Sequence, residues 1–320
     1  MSTVLVTGGC GFAGSHLARF LLERDYNVVL MDLNVNERLI KDIKERCVIV
    51  KVDITDREQL ARVLKKHTVD VVTHYAALLS AETELNPHLG FKVDVEGVWN
   101  IFNAARDAEV NSVVLASSAA AYGPDVSKNA REDEHTIPET LYGISKQFGE
   151  MIGLWFHKKY GMQFAAFRYA SIIGPGRRDG GSSAYSTLMI QKPAQGEPYQ
   201  VNVREEDALP LLYVKDAAEV TTIAFEDTGS LKSRIYNVAS LSPSPTAGQI
   251  ANCVRKYISD AKIAFRPDPL ITDMVDTWIK NIDTTRVQKE LGWKPRFSSL
   301  EMLVKDFTTE VRKNPSMFFV

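Results

Sequence analysis

No stretch of this 320-residue sequence reaches the ~18 consecutive apolar residues of a membrane-spanning helix. The first residues run straight into a strand pattern, without the basic and then apolar segment of a signal peptide. Neither sign of charge dominates: 38 Lys and Arg stand against 40 Asp and Glu, a net charge of −2. That balance removes the basic footprint of a nucleic-acid binder. Cysteine is scarce. Cys10, Cys47 and Cys253 show no pairing pattern, which excludes a disulfide scaffold and points to a reducing cytoplasm. The histidines (His16, His67, His74, His88, His135 and His157) lack metal-ligand spacing, so no metal is expected. Repeats, low-complexity tracts and long charge runs are also missing. What remains is a chain long enough for one large α/β domain or two smaller ones sharing a core.

The first half alternates short β-branched runs with helical periodicity. Thr3–Thr7, Val28–Met31, Cys47–Val52, Val69–Thr73, Ser112–Ala116 and Phe164–Tyr169 read as strands. Phe12–Arg24, Arg57–Lys66, Pro87–Asp107 and Leu141–Tyr160 read as helices between them. The pattern predicts a Rossmann-type α/β fold, a doubly wound parallel sheet. Composition shifts after Ile173, where Gly174–Ser183 is a glycine- and serine-rich loop and regular alternation stops. A strand at Ile235–Val238 and helices near Thr246–Tyr257 and Thr284–Glu290 follow. The expected division is therefore a dinucleotide-binding domain over 1–173 and a smaller substrate-binding lobe over 174–320, with segments free to cross back.

Gly9, Gly11 and Gly14 satisfy G-x-G-x-x-G between the first strand and the first helix, with Gly8, Phe12 and Ala13 in the same segment. Missing side chains let the backbone turn tightly and approach a pyrophosphate at a helix N-terminus. A glycine turn without ligand has the same letters; the strand before and the helix after favour the dinucleotide reading. Asp32 ends the second strand, 18 residues after Gly14. A carboxylate there hydrogen-bonds the ribose hydroxyls and repels a 2′-phosphate, so the expected cofactor is NAD rather than NADP. Asp53-Ile54 after the third strand and Ala76-Ala77 after the fourth border the same crevice.

Tyr142 and Lys146 lie four residues apart on one helix face. A free phenol is a poor base at neutral pH, and a cation beside it favours the phenolate. A surface pair has the same spacing. Ser118, at the end of the fifth strand beside the crevice, favours the catalytic reading, because its hydroxyl can hold the oxygen whose proton a tyrosine takes.

Taken together, Gly8-x-x-Gly11-x-x-Gly14, Ser118 before Tyr122-Gly123, and Tyr142-x-x-x-Lys146 resemble the extended short-chain dehydrogenase/reductase family along essentially the whole chain. The resemblance implies an NAD-bound Rossmann domain, a Ser118/Tyr142/Lys146 catalytic set, a cofactor contact at Tyr169 and a homodimer packed through the helices Pro87–Asp107 and Leu141–Tyr160. Ala76–Glu84, Gly180–Tyr185, Arg204–Asp216, Phe265–Asp268, Asp276–Trp278 and Gly292-Trp293 are similar to segments of the short-chain-type L-threonine 3-dehydrogenase branch. That likeness implies substrate contacts at Ser80, Ser182, Ser183 and Trp278, and a small-molecule substrate oxidised at a secondary alcohol. Plain readings of the same residues are a helix cap, loop solvation and packing.

Some positions depart from the branch. Arg168-Tyr169-Ala170-Ser171 replaces its Arg-Tyr-Pro-Gly, Ala208 replaces an arginine, Asp94 stands at an asparagine position, and Arg177 and Arg178 are additional. Ser117–Gly123 and Gly174–Gly176 are closer to sugar-nucleotide epimerases. An NDP-sugar 4-epimerase or dehydratase using the same three residues is therefore the alternative, and a catalytically idle NAD sensor a third. Against the epimerase, Leu209 stands where such enzymes carry an arginine for the substrate pyrophosphate. The intact catalytic set speaks against the sensor.

Overall fold

The short β-branched runs assemble into one parallel sheet in a computed structural model that describes residues 1–178, 181, 183–226 and 231–318. Its strands are β1 (Thr3–Thr7), β2 (Asn27–Asp32), β3 (Val48–Lys51), β4 (Val71–His74), β5 (Ser112–Ser118), β6 (Gln163–Tyr169) and β7 (Ile235–Val238). They lie in the order β7-β6-β5-β4-β1-β2-β3, each neighbouring pair parallel. The winding direction reverses between β1 and β4, which opens a crevice at the C-terminal ends of those two strands.

The helices of the first half are α1 (Phe12–Leu22), α2 (Arg57–Lys66), α3 (Ser80–Leu85), α4 (Pro87–Phe91), α5 (Gly97–Asp107) and α6 (Leu141–Tyr160). A π turn over Lys92–Glu96 joins α4 to α5. Side chains of α2, α5 and α6, among them Leu60, Leu64, Phe102 and Phe156, form the core on one face of the sheet. Local chemistry fixes the ends of these helices. The Asp56 carboxylate accepts from Gln59 N at 2.9 Å to start α2, and the Thr140 hydroxyl accepts from Gly143 N at 3.1 Å to start α6.

After Ile173 the chain forms α7 (Tyr185–Ala194), α8 (Val214–Glu226), α9 (Ala247–Tyr257), α10 (Pro269–Asp276), α11 (Thr285–Leu291), α12 (Leu300–Lys313) and α13 (Pro315–Phe318). The expectation that alternation stops at Ile173 is corrected here. Ala218 of α8 packs with Leu17 and Leu21 of α1 on the second face of the sheet, and β7 then pairs with β6. The buried positions of α8 are largely small, Ala217, Ala218, Thr221, Thr222 and Ala224, so a search for large apolar residues at helical spacing passes over it. The residues that do build a separate core, around Met189, Ile190, Ile250, Val254, Leu303 and Phe307, come from α7, α9 and α12. Segment 174–320 thus feeds both the sheet and a second lobe standing over its C-terminal edge.

Candidate active site

The glycine loop is shaped by close approaches that leave no room for side chains. Gly8 sits at φ +63°, and a Cβ there would stand 2.9 Å from Ala76 N. A Cβ on Gly14 would lie 2.3 Å from Gly8 O. No side chain caps α1 at Gly11, so the N–H groups of its first turn are left for an anion. Phe12 and Ala13 of that turn are half-buried against the second lobe. The Asp32 carboxylate is held on the same loop, one oxygen accepting from Cys10 N at 3.1 Å and the other from Asn34 N at 3.0 Å. Burial raises its pKa, and the backbone donors of Asn34, Cys10 and Leu33 oppose that shift. Asp53 accepts from Thr55 N at 2.8 Å, while the Ile54 side chain is buried in the sheet core. Ala76 N donates to the Thr7 hydroxyl at 3.1 Å, and Ala77 is half-buried beside it. This tight, uncapped, acid-edged crevice fits a dinucleotide without a 2′-phosphate.

Tyr142 and Lys146 occupy the first two turns of α6. The Lys146 ammonium donates to Ala116 O of β5 at 3.2 Å and lies 5.1 Å from the centre of the Tyr142 ring. A Cβ on Gly143 would lie 2.4 Å from Ala120 O, so α6 starts pressed against the turn after β5. The Ser118 hydroxyl accepts from Ala120 N in that turn at 3.2 Å, which leaves its proton for another acceptor. The fold therefore gathers Ser118, Tyr142 and Lys146 around the end of β5. Tyr169 pairs with Ser118 across the sheet, but its hydroxyl is buried against Tyr75 at 3.0 Å and Thr221 at 2.5 Å. Its side chain is part of the buried core.

Sequence reasoning missed the groups behind this set. Glu150 continues the i+4 series from Tyr142 and Lys146 and is fully buried. It accepts from Arg168 at 2.9 and 2.7 Å and from the Ser117 hydroxyl at 2.6 Å. An acidic residue on the same helical face as Tyr142 and Lys146 was the available signal. His74, at the end of β4, is also buried. The Thr7 hydroxyl accepts from Tyr75 N and Ala76 N, so its proton goes to His74 Nδ1 at 2.7 Å. Burial and the Lys146 charge lower the His74 pKa to about 3, which keeps the ring neutral. Asp94, in the π turn, accepts from Leu78 N at 2.8 Å and leaves its second oxygen buried without a partner among the described residues. Burial raises its pKa, and the Lys146 charge acts in the opposite direction.

The expected substrate contacts are more scattered. Ser80 opens α3, and its carbonyl accepts from the Thr83 hydroxyl at 2.8 Å. Ser182 lies outside the described residues. The Ser183 hydroxyl accepts from Arg177 Nη2 at 2.8 Å, while Arg177 Nη1 holds Ser171 Oγ and Ile172 O. Arg178 is exposed. Trp278 is half-buried against the second-lobe core, and Leu209 is buried within that core.

Fold and site together define an NAD-dependent enzyme of the dehydrogenase type, and the chain belongs to the NAD dependent epimerase/dehydratase family, whose model matches residues 4–239. Within that family it is 29% identical over 305 residues to the mitochondrial L-threonine 3-dehydrogenase of Bos taurus, covering 94% of this chain and 80% of the relative. A holo L-threonine dehydrogenase from Cupriavidus necator superposes with a TM-score of 0.88 at 30% identity, over 97% of this chain and 99% of the other. The UDP-glucose 4-epimerase of Thermotoga maritima superposes with a TM-score of 0.86 at 25% identity, over 98% and 99%.

Proposed function

We propose that this chain oxidises the secondary alcohol of a small polar substrate, a 2-amino-3-hydroxy acid of the L-threonine type. The observation that carries the reading is the gathering of Ser118, Tyr142 and Lys146 at the end of β5, beside the dinucleotide loop. Gly8, Gly9, Gly11, Phe12, Ala13 and Gly14 would hold the cofactor diphosphate, and Asp32 the adenosine ribose. Asp53, Ile54, Ala76 and Ala77 would border the ring system. Bound NAD supplies the hydride acceptor.

The remaining chemistry belongs to the protein. Tyr142 takes the hydroxyl proton of the substrate, and the Lys146 ammonium beside the ring stabilises the phenolate that forms. Ser118 directs its free proton to the same substrate oxygen. Ser80 and Ser183 offer neutral hydroxyls to a small polar molecule, and Trp278 covers it from the second lobe, excluding water. Arg177 directs three donors to Ser171, Ile172 and Ser183, which holds the Ser183 hydroxyl in place.

The epimerase likeness keeps a second reading open, supported by the Thermotoga maritima neighbour. Burial of Leu209 in the second-lobe core argues against it, since that side chain offers a diphosphate neither charge nor access. The exposed faces of α5 and α6 carry Trp99 and Trp155, their ring centres 6.3 Å apart, with Ile144 and Met151 also exposed on α6. Such a face supports a homodimer through these helices, although one solved threonine dehydrogenase relative is monomeric. Free Cys10, Cys47 and Cys253 suit a reducing cytoplasm, and no helix among the described residues is long and apolar enough to cross a membrane. A calorimetric titration tests the substrate reading. Micromolar binding of UDP-glucose, lost when Arg177 and Arg178 are both replaced, overturns it in favour of the epimerase.

A further inference from the structure

Phe12, His16 and Arg19 form a stripe on α1 that faces the second lobe rather than the sheet. His16 is buried, and burial with the Arg19 charge holds its pKa down to about 3, so the ring is neutral. Its Nε2 donates to Pro175 O at 3.0 Å. The ring stacks on Phe318, with 6.2 Å between centroids and 5° between planes, and meets Phe12 edge-on at 5.8 Å.

Phe318 reaches further. A Cβ on Gly176, at φ +93°, would stand 3.2 Å from Phe318 Cδ1, so the ring lies directly against that backbone. Phe318 O accepts from Gln195 Nε2 at 2.8 Å, just past the end of α7, and Gly176 N donates to Gln191 Oε1 of α7 at 2.9 Å. Arg19 Nη2 donates to Met317 Sδ at 3.2 Å and to Leu39 O at 2.5 Å. One short helix, α13, therefore touches α1, whose first turn borders the dinucleotide crevice. It also touches the Pro175–Gly176 backbone that leads to Arg177, and α7, which starts two residues after Ser183.

We propose that His16 and Phe318 are positioning residues serving the cofactor crevice and the substrate segment at once. The proposal rests on the dehydrogenase reading above, and it adds a structural reason for the two sites to be built together. The stacked pair fixes the angle at which α1 presents its first turn. Through Pro175 and Gly176 it also fixes where Arg177 holds the Ser183 hydroxyl. Neither ring lies on α6, so Tyr142 and Lys146 keep their places when the pair is disturbed.

The split between binding and turnover tests this. Phe318→Ala and His16→Ala are compared with Phe318→Leu, which keeps apolar volume, and His16→Gln, which keeps a donor for Pro175 O. NAD affinity is read by fluorescence titration without substrate, and the KM for L-threonine and kcat by NADH formation. The expected result is about a tenfold weaker NAD Kd and a similar rise in KM for both alanine variants, about 1.4 kcal/mol each, with kcat at saturation within about twofold. The two conservative variants recover most of both constants. A merely structural role lowers kcat with the folded fraction and leaves Kd and KM unchanged; that result, or movement of only one constant, overturns the proposal. If the wild type makes no NADH from threonine, the substrate reading fails. The inference is then decided by the NAD titration together with Arg177→Ala: an NAD affinity unchanged by the ring variants overturns it.

Discussion

Replacing Glu150 by alanine removes the acceptor that ties α6 to β5 and β6. The wild-type carboxylate takes two hydrogen bonds from Arg168, at 2.9 and 2.7 Å, and a third from Ser117 at 2.6 Å. Arg168 is 3% exposed and Glu150 0%, so solvent does not replace the lost partner. An uncompensated guanidinium at such a site costs about 3–5 kcal/mol, more than the pair contributes over an apolar replacement. Equilibrium denaturation should therefore show Glu150→Ala destabilised by that amount. The double variant Glu150→Leu with Arg168→Met removes both charges and should recover most of it. Turnover of the folded Glu150→Ala protein should also fall, because Lys146 and Tyr142 lie one and two turns before it on α6. A loss below about 1 kcal/mol, or a double variant no better than the single one, refutes the reasoning that a buried pair locks this helix.

Other expected outcomes follow from neighbouring features. Asp32→Ala should weaken NAD by roughly tenfold more than NADP, as a charged acceptor for ribose hydroxyls is lost; equal losses in parallel titrations contradict its assignment. Asp216 is buried and accepts from Ser240, Arg296 N and Phe297 N, yet burial raises its pKa to about 6. A raised carboxyl favours the folded state fully below its unfolded pKa and loses that contribution as pH rises through about 6. The difference in stability between wild type and Asp216→Asn should therefore change by about 2 kcal/mol between pH 4 and 6, and a flat difference refutes it. Trp155→Glu places a charge on the exposed apolar face of α6 and should convert a dimer to monomer in sedimentation at fixed concentration; an unchanged species moves the interface elsewhere.

Much of the dinucleotide half was legible because its signals are local. Each glycine in the loop answers a backbone approach within a few residues or one strand away, as with Gly14 against Gly8 O. The helices Arg57–Lys66 and Leu141–Tyr160 follow from their helical periodicity, with the bounds read from the sequence. What stayed hidden depends on distant partners. The small residues of α8 bury well only because α1 lies against them, and β7 joins the sheet across 65 residues that follow β6. The Tyr169 hydroxyl is taken up by Tyr75 and Thr221, residues 94 and 52 positions away. The Glu150 contacts are likewise set by β5 and β6, although its helical register with Lys146 was visible. The expected substrate contacts were least legible, since Ser80, Ser183 and Trp278 come from three separate segments and their surroundings are set by different neighbours, Thr83, Arg177 and the second-lobe core.

The most direct test of the central claim follows absorbance of NADH with saturating NAD and L-threonine, for the wild type and Tyr142→Phe side by side. The account predicts steady NADH production by the wild type, and at least about a 10²-fold slower rate in the variant with NAD affinity retained. Near-normal turnover in Tyr142→Phe contradicts the assignment of the proton acceptor. Conversion of UDP-glucose to its 4-epimer without net NADH, in place of threonine oxidation, contradicts the assignment of the reaction.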